Sequence, residues 1–188
     1  MIEKLQNVPS DGWSWLLEDT VKAARRLLGM RLRMGCTEIR ITETEAYTEN
    51  DPASHAVTRP HAAGAIMNTA GLIYVYQIYG MHYCLNITTD SLRSGAVLIR
   101  AGEPLAGLEV MRKRRSQGKT ELLTVGPGRL CQAMGVDMSC NGTPVGERIE
   151  LLPGDPVNYI VTTTRIGISK GKELRYRFFD GDNQFHHL

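Results

Sequence analysis

Apolar and polar positions change period several times along the chain, and each change marks an element. Over residues 19–28, Val21, Ala24, Leu27 and Leu28 recur at helical spacing, with Asp19 or Thr20 to cap the start and Gly29 to end it. From Met30 the pattern switches to alternation. Met30–Met34 and Glu38–Ile41 read as a β-hairpin turning at Gly35. Residues 48–71 show no clear period and carry Asn, Asp, Pro, Ser, Thr and Gly. So long a loop inside a compact domain is usually functional or disordered. Two strands follow, 72–79 and 82–89, around Gly80-Met81, and another at 96–101. Pro104 suits the first turn of a helix reaching about Arg115, with Leu105, Leu108 and Met111 turned inward. Gly126-Pro127-Gly128 opens a short helix that Gly135 stops. Ile149–Leu152, Val157–Thr163 and Arg175–Phe179 read as strands. The expected class is α+β: a single, mostly antiparallel β domain over residues 1–188 with peripheral helices and a protruding β-hairpin.

Composition narrows the function classes. With 42% hydrophobic residues spread along 188 positions, a core can form and disorder is not indicated. A net charge of +2 permits nucleic acid without arguing for it, so local clustering matters more. The densest basic run is Arg112-Lys113-Arg114-Arg115. Such a run is most often a solvated helix face and could equally contact phosphates. None of the four cysteines forms a C-x-x-C pair, which argues against zinc and for reduced thiols in a cytoplasmic protein. Near Glu3 and Lys4 there is no apolar stretch of signal-peptide type, and no run approaches the ~18 residues of a membrane span. A monomer without a membrane partner is expected.

Candidate chemistry lies in three places. If the strand at Ile39 continues with strict alternation, Ile39, Ile41, Glu43 and Glu45 share one apolar face, and carboxylates aimed at an interior are functional candidates. The alternative is a strand that ends at Thr42 with both carboxylates solvated. Tyr74 and Tyr76 fall on one face of the next strand, while Tyr79 sits beside the hairpin turn, poorly placed for a core. An aromatic at such a tip can stack on a base or wedge between base pairs, although tyrosine is also an ordinary sheet residue. Asn86 reads as a buried amide, and Arg100 closes an apolar strand where it could neutralise a buried carboxylate or mark the exit to water. His55 and His61 fit no metal spacing.

Together these residues resemble a known family. Glu43-Thr-Glu45-Ala-Tyr47, Asp51-Pro-Ala-Ser-His55, and Tyr74-Val-Tyr-Gln-Ile-Tyr79-Gly-Met-His-Tyr-Cys-Leu-Asn86 are similar to segments of the alkyladenine (3-methyladenine) DNA glycosylases in their compact bacterial form. Ala96-Val-Leu-Ile-Arg100-Ala-Gly-Glu-Pro104, Gly126-Pro-Gly-Arg-Leu130 and Arg165-Ile-Gly-Ile168 follow in the family's order. The resemblance implies hydrolysis of the base–sugar bond of damaged purines flipped from duplex DNA, without lyase chemistry, metal or cofactor. It assigns Glu45 as general base with Arg100 beside it. It places Tyr47, His55, Tyr76, Asn86 and the backbone of Ala53 in the base pocket, and Tyr79 with Met81 as the intercalating wedge. Arg112, Lys113, Arg114, Arg115, Gly128 and Arg129 are the candidates for the DNA backbone, where basic side chains and a helix start favour phosphate. The stretch His61–Asn68 departs from the family pattern. Two rivals stand beside this reading: a non-catalytic nucleic-acid-binding module, and a hydrolase or transferase of small substrates. Glu45 speaks against the first, because a pure binder gains nothing from a carboxylate aimed at a polyanion.

Overall fold

The structure is a computed structural model that describes residues 12–61, 63, 68–90 and 92–187. The expectations for residues 1–11, and for Ala62 and residues 64–67 of the 61–68 stretch, lie outside the described residues. Eight strands form one antiparallel sheet: β1 Arg31–Met34, β2 Thr37–Tyr47, β3 Ile73–Ile78, β4 His82–Thr89, β5 Gly95–Ala106, β6 Glu150–Leu152, β7 Ile160–Thr163 and β8 Arg177–Asp180. The spatial order is β3-β4-β5-β2-β1-β6, and β8 with β7 joins β2 beyond β1. Thus the eleven-residue β2 is the hub. It pairs with β5 on one side, and on the other with β1 through its first half and β8 through its second. The α+β class and the antiparallel sheet are as expected.

Helices α1 Thr20–Arg26, α3 Leu108–Arg115 and α4 Pro127–Met134 lie outside the sheet, and a one-turn helix, α2 His55–Thr58, interrupts the long loop. Asp19 caps α1 by accepting from the Lys22 amide, and Gly135 ends α4 at a left-handed φ of 82°. One sheet face packs on α1 and α4 and forms the main core: Ala23 and Ala24 from α1 with Leu27 at its C-cap, Leu130 and Met134 from α4, and Ile39, Ile41, Ala46, Val75, Leu85, Val97, Ile99 and Phe178 from the strands. Alternation sends Tyr74, Tyr76, Cys84 and Asn86 to the opposite face. The fold therefore separates a dry core from a second face that can hold a site.

Two expectations are corrected. The helix does not begin at Pro104. Strand β5 runs on to Ala106, with Pro104 buried opposite Ile39 and Leu105 left 42% exposed as the extra residue of a bulge. A bulge is one of the few places where a sheet accepts proline, which cannot donate to the ladder. The turn into α3 falls at Gly107, whose φ of 75° and 2.5 Å approach of a would-be Cβ to the Cys36 carbonyl leave room for glycine alone. Nor do Glu43 and Glu45 share a face with Ile39 and Ile41. The register runs Ile41↔Gly102, Glu43↔Ala101, Thr44↔Ile99, so Thr42 on β2 and Arg100 on β5 are each one residue too many. These bulges invert the alternation: Thr44 and Ala46 continue the core face, with Thr44 Oγ1 donating to the Ala24 carbonyl of α1. Glu43, Glu45 and Tyr47 turn to the other side.

Candidate active site

On that second face lies a pocket of about 330 Å³, within the size range of small-ligand sites. Strand alternation supplies its walls: Tyr47 from β2, Tyr74, Tyr76 and Ile78 from β3, Cys84 and Asn86 from β4, and Ala96, Leu98 and Arg100 from β5. Ala53 and His55 come from the loop leading into α2, Pro127 from the start of α4, and Ile166, Gly167 and Ile168 from the loop before β8. Every pocket residue expected from the sequence is therefore gathered around one cavity.

The aromatic groups are fixed against one another. His55 and Tyr76 rings lie 4.3 Å apart, and Tyr74 and Tyr76 5.5 Å apart. His55 Nδ1 is 2.8 Å from the Tyr74 hydroxyl. Burial, with a smaller contribution from the Arg59 charge, pushes His55 down to about 4, so its ring is neutral at physiological pH. Burial likewise raises the Tyr74 hydroxyl to about 12. Asn86 Nδ2 donates to the Tyr74 carbonyl at 3.1 Å and faces the Cys84 carbonyl at 3.4 Å, which orients the amide and leaves Oδ1 free of these bonds.

Glu45 is fully buried behind the lining and contacts three residues of the pocket wall, Tyr47, Arg100 and Ile166. Its Oε1 accepts from the Ile166 amide at 2.9 Å and lies 3.3 Å from Arg100 Nη1, while Oε2 accepts the Tyr47 hydroxyl at 2.8 Å. A carboxylate oxygen can accept about two hydrogen bonds. Oε2 therefore keeps capacity for one more donor. Burial opposes the Arg100 charge, but Glu45 and Glu43 together hold the guanidinium above its ordinary range. Glu43, also fully buried, accepts from Arg100 Nε at 2.9 Å, Arg177 Nε at 2.6 Å and the His187 amide at 2.8 Å.

At the rim, Tyr79 is 87% exposed and Met81 70%. The turn centres on Tyr79-Gly80, one residue earlier than expected. Three residues, Tyr79-Gly80-Met81, separate the paired Ile78 and His82, and the first two have positive φ, 52° and 71°. A tyrosine in that region is strained, and such outliers often mark function. Gly128 of α4 packs on His82 of this hairpin, where an added Cβ would lie 3.1 Å from the His82 Cβ.

The basic cluster lies on α3. Arg114 Nη1 donates to the Ala133 carbonyl, Arg115 binds the Leu123 carbonyl and Gln132, and Arg112 binds Glu109, Thr120 and the Gly118 carbonyl. Arg114 and Arg115 thereby tie α3 to the far end of α4, while Arg112 bonds within α3 and to the segment that follows it. Burial lowers the Arg115 guanidinium, and so does the charge of Arg129 in the first turn of α4. Lys113, Arg114 and Arg129 are exposed.

Sequence reasoning assigned no role to Arg165, Asp51 or Arg177. Arg165 forks onto Asp51, with Nη2–Oδ1 at 2.8 Å and both side chains fully buried, and also donates to the Ala46 and Gly171 carbonyls. Its guanidinium lies 4.6 Å over the Tyr47 ring. The pair thus joins the loop of Ala53 to the loop of Ile166. Among the described residues no group of His, Cys, Asp and Glu could hold a metal ion, and no helix is long and apolar enough to cross a membrane.

The sheet gives one face to its core and the other to an aromatic pocket, and Arg100 in the pocket wall links it to the buried carboxylates Glu43 and Glu45. Comparison with known proteins gives this chain its family. The methylpurine-DNA glycosylase (MPG) family matches residues 14–184. Relatives named "Putative 3-methyladenine DNA glycosylase" include those of Nitrosospira multiformis, 44% identical over 85% of this chain and 84% of theirs, and Carboxydothermus hydrogenoformans, 41% over 78% and 80%. A third, from Methanoculleus marisnigri, is 42% identical over 86% and 90%. The chain belongs to the methylpurine-DNA glycosylase family, enzymes that act on DNA bases.

Proposed function

We propose that this protein is a monofunctional base-excision glycosylase. It hydrolyses the N-glycosidic bond of alkylated or deaminated purines flipped from duplex DNA: 3-methyladenine, 7-methylguanine, hypoxanthine and ethenoadenine. The observation that carries the reading is Glu45, buried and held by three residues of the pocket wall: Arg100, the Ile166 amide and the Tyr47 hydroxyl. A base within the stack is out of reach of a site this deep, so the nucleotide must be extruded. Tyr79, with Met81 beside it, fills the space left behind. Tyr47, Tyr76 and His55 enclose the ring, and a cationic methylated purine gains a cation–π attraction from the tyrosines. Backbone groups of Ala53 and His55 meet the base edge, and Asn86 narrows the pocket against the 2-amino group of guanine.

Water occupies the remaining acceptor position on Glu45 Oε2 and attacks C1′ as the bond to the base breaks. The water proton passes to the carboxylate, and the base leaves with the bonding electrons. Negative charge on Glu45 also offsets the oxocarbenium-like character of the sugar. The described pocket walls contain no lysine, which supports hydrolysis over Schiff-base chemistry. Arg129, Lys113 and the first turn of α4 at Gly128 meet the DNA backbone, while Arg112, Arg114 and Arg115 brace the α3–α4 corner. The enzyme acts as a monomer in the cytoplasm.

The test uses duplex oligonucleotides, each carrying one of the four lesions, with abasic sites read by alkali cleavage. Glu45→Gln preserves shape and removes the base, so lesion binding should survive while excision of hypoxanthine falls by about 10²–10⁴-fold. Excision of hypoxanthine by Glu45→Gln at the wild-type rate would refute the mechanism.

A further inference from the structure

Glu43 is a second carboxylate beside the base, fully buried, and the reaction above gives it no part. It is not an idle ion pair. One of its oxygens, Oε1, takes Arg100 Nε at 2.9 Å and Arg177 Nε at 2.6 Å, and the other takes the His187 amide at 2.8 Å. The same Arg100 reaches Glu45 through a different nitrogen, Nη1, at 3.3 Å. Its guanidinium is therefore shared: the Nε side faces Glu43 and the Nη1 side faces Glu45. Arg177 is also the cross-strand neighbour of Glu45. The cluster thus holds two carboxylates and two guanidiniums, with no net charge.

That balance matters for a general base. A carboxylate buried against an unshared guanidinium would remain ionised but would be a poor acceptor of the water proton. A second carboxylate on the same guanidinium weakens that hold. We propose that Glu43, with Arg177 as its counterion, is a positioning residue for the glycosylase reaction: it holds Arg100 through Nε and prevents that guanidinium from neutralising Glu45. The inference rests on Glu45 being the base. Other charged or titratable groups face Glu45 too: Tyr47 from its own strand, Cys84 from β4 and Arg165 from the loop before β8. None of them is altered by the changes below.

The variants Glu43→Gln, Arg177→Gln and the double variant separate charge balance from structural support. Single-turnover excision of hypoxanthine from a duplex oligonucleotide is followed against pH, with melting temperatures measured in parallel. Activity requires ionised Glu45, so the rate rises with pH along an acidic limb. Removing the Glu43 charge leaves the cluster one unit positive, and the limb should move to lower pH by about one unit, the lower end of the effect of a nearby charge. The plateau rate should fall about tenfold, because the base is weaker. Removing the Arg177 charge should move the limb to higher pH, and the double variant should bring it back to within a few tenths of a unit of wild type. Damage to packing alone would not shift the limb in opposite directions or restore it in the double variant. If Glu43→Gln does not fold, the upward shift in Arg177→Gln and its reversal in the double variant decide the matter. Unmoved limbs, with Glu45→Gln inactive, would overturn the role of Glu43 alone. Full activity in Glu45→Gln would overturn the assignment of the base and this inference with it.

Discussion

Replacing Asp51 by Asn should lower the melting temperature steeply and impair the pocket. Asp51 and Arg165 are both fully buried, and the guanidinium forks onto the carboxylate. Burial opposes the Arg165 charge, but Asp51, with smaller contributions from Tyr47 and Glu45, holds the guanidinium above its usual range. The Asp51→Asn side chain would keep the oxygen that accepts from the Ala53 amide, at 2.9 Å in the native protein, so the turn itself should survive. What disappears is the negative charge. One fork nitrogen would then meet an amide donor, inside a site where Arg165 Nε already has no hydrogen-bond partner. Breaking a buried pair from one side costs about 3–5 kcal/mol. That is a large part of the 5–15 kcal/mol by which domains are commonly stable. For a chain of this size each kcal/mol is worth about 2–4 °C, so a fall of roughly 10 °C is expected. Thermal unfolding followed by circular dichroism measures it, and excision at a temperature where the variant is folded measures the pocket. The Asp51→Leu, Arg165→Met double variant should recover part of the loss, since apolar replacement of a whole buried pair is often neutral. Recovery should be incomplete, because Arg165 also holds the Ala46 and Gly171 carbonyls. A melting temperature for Asp51→Asn within about 2 °C of wild type, below the shift expected for even 1 kcal/mol, would refute the reasoning.

Two further outcomes follow from the site. His55 is held down to about 4 by burial and Arg59. As pH falls from about 6.5, the unfolded chain therefore takes up a proton that the native one does not, and stability is lost across the window down to about 4. His55→Gln should flatten the melting-temperature profile in that window and leave it unchanged above pH 7, and parallel profiles for the two proteins would disprove the shift. Tyr79→Asn places at φ 52° a residue that tolerates the left-handed region and relieves the strain of Tyr79. It should raise stability by about 1 kcal/mol while excision falls, more for well-paired lesions than for mismatched ones. A loss of stability would show that Tyr79 is not strained.

Local pattern was legible wherever an element is regular. The caps at Asp19 and Gly135 were readable, and so were the tyrosines of β3, because that strand keeps strict alternation from Ile73 to Ile78. The exposed Tyr79 was legible as an aromatic with no core position. Arg165 and Arg177 were not. Their carboxylate partners lie 114 and 134 residues away, and no local spacing links them. Pro104 misled because proline suits both a first helical turn and a bulge. Only the partner strand decides between them.

The carboxylates were expected to be buried, and they are, but on the other face. The assumption that failed was constant alternation through β2. Yet the break has a trace in the chain. Core-facing positions on β2 are 39, 41, 44 and 46, and on β5 they are 97, 99, 102 and 104. Each series steps by two, three and two. A single slip of this kind is ambiguous, since it also marks the end of a strand. The same slip in two paired strands is not, because both must change face at one place for the ladder to continue. That place contains Thr42 and Arg100, the unpaired residues of the two bulges. A bulge frees one side chain from the strand's alternation and redirects it. Here the freed side chain is Arg100, which reaches both carboxylates. The irregularity that defeats a face-by-face reading is thus the feature that lets one continuous strand pack against α1 in its core positions and present Glu43, Glu45 and Tyr47 to the pocket side.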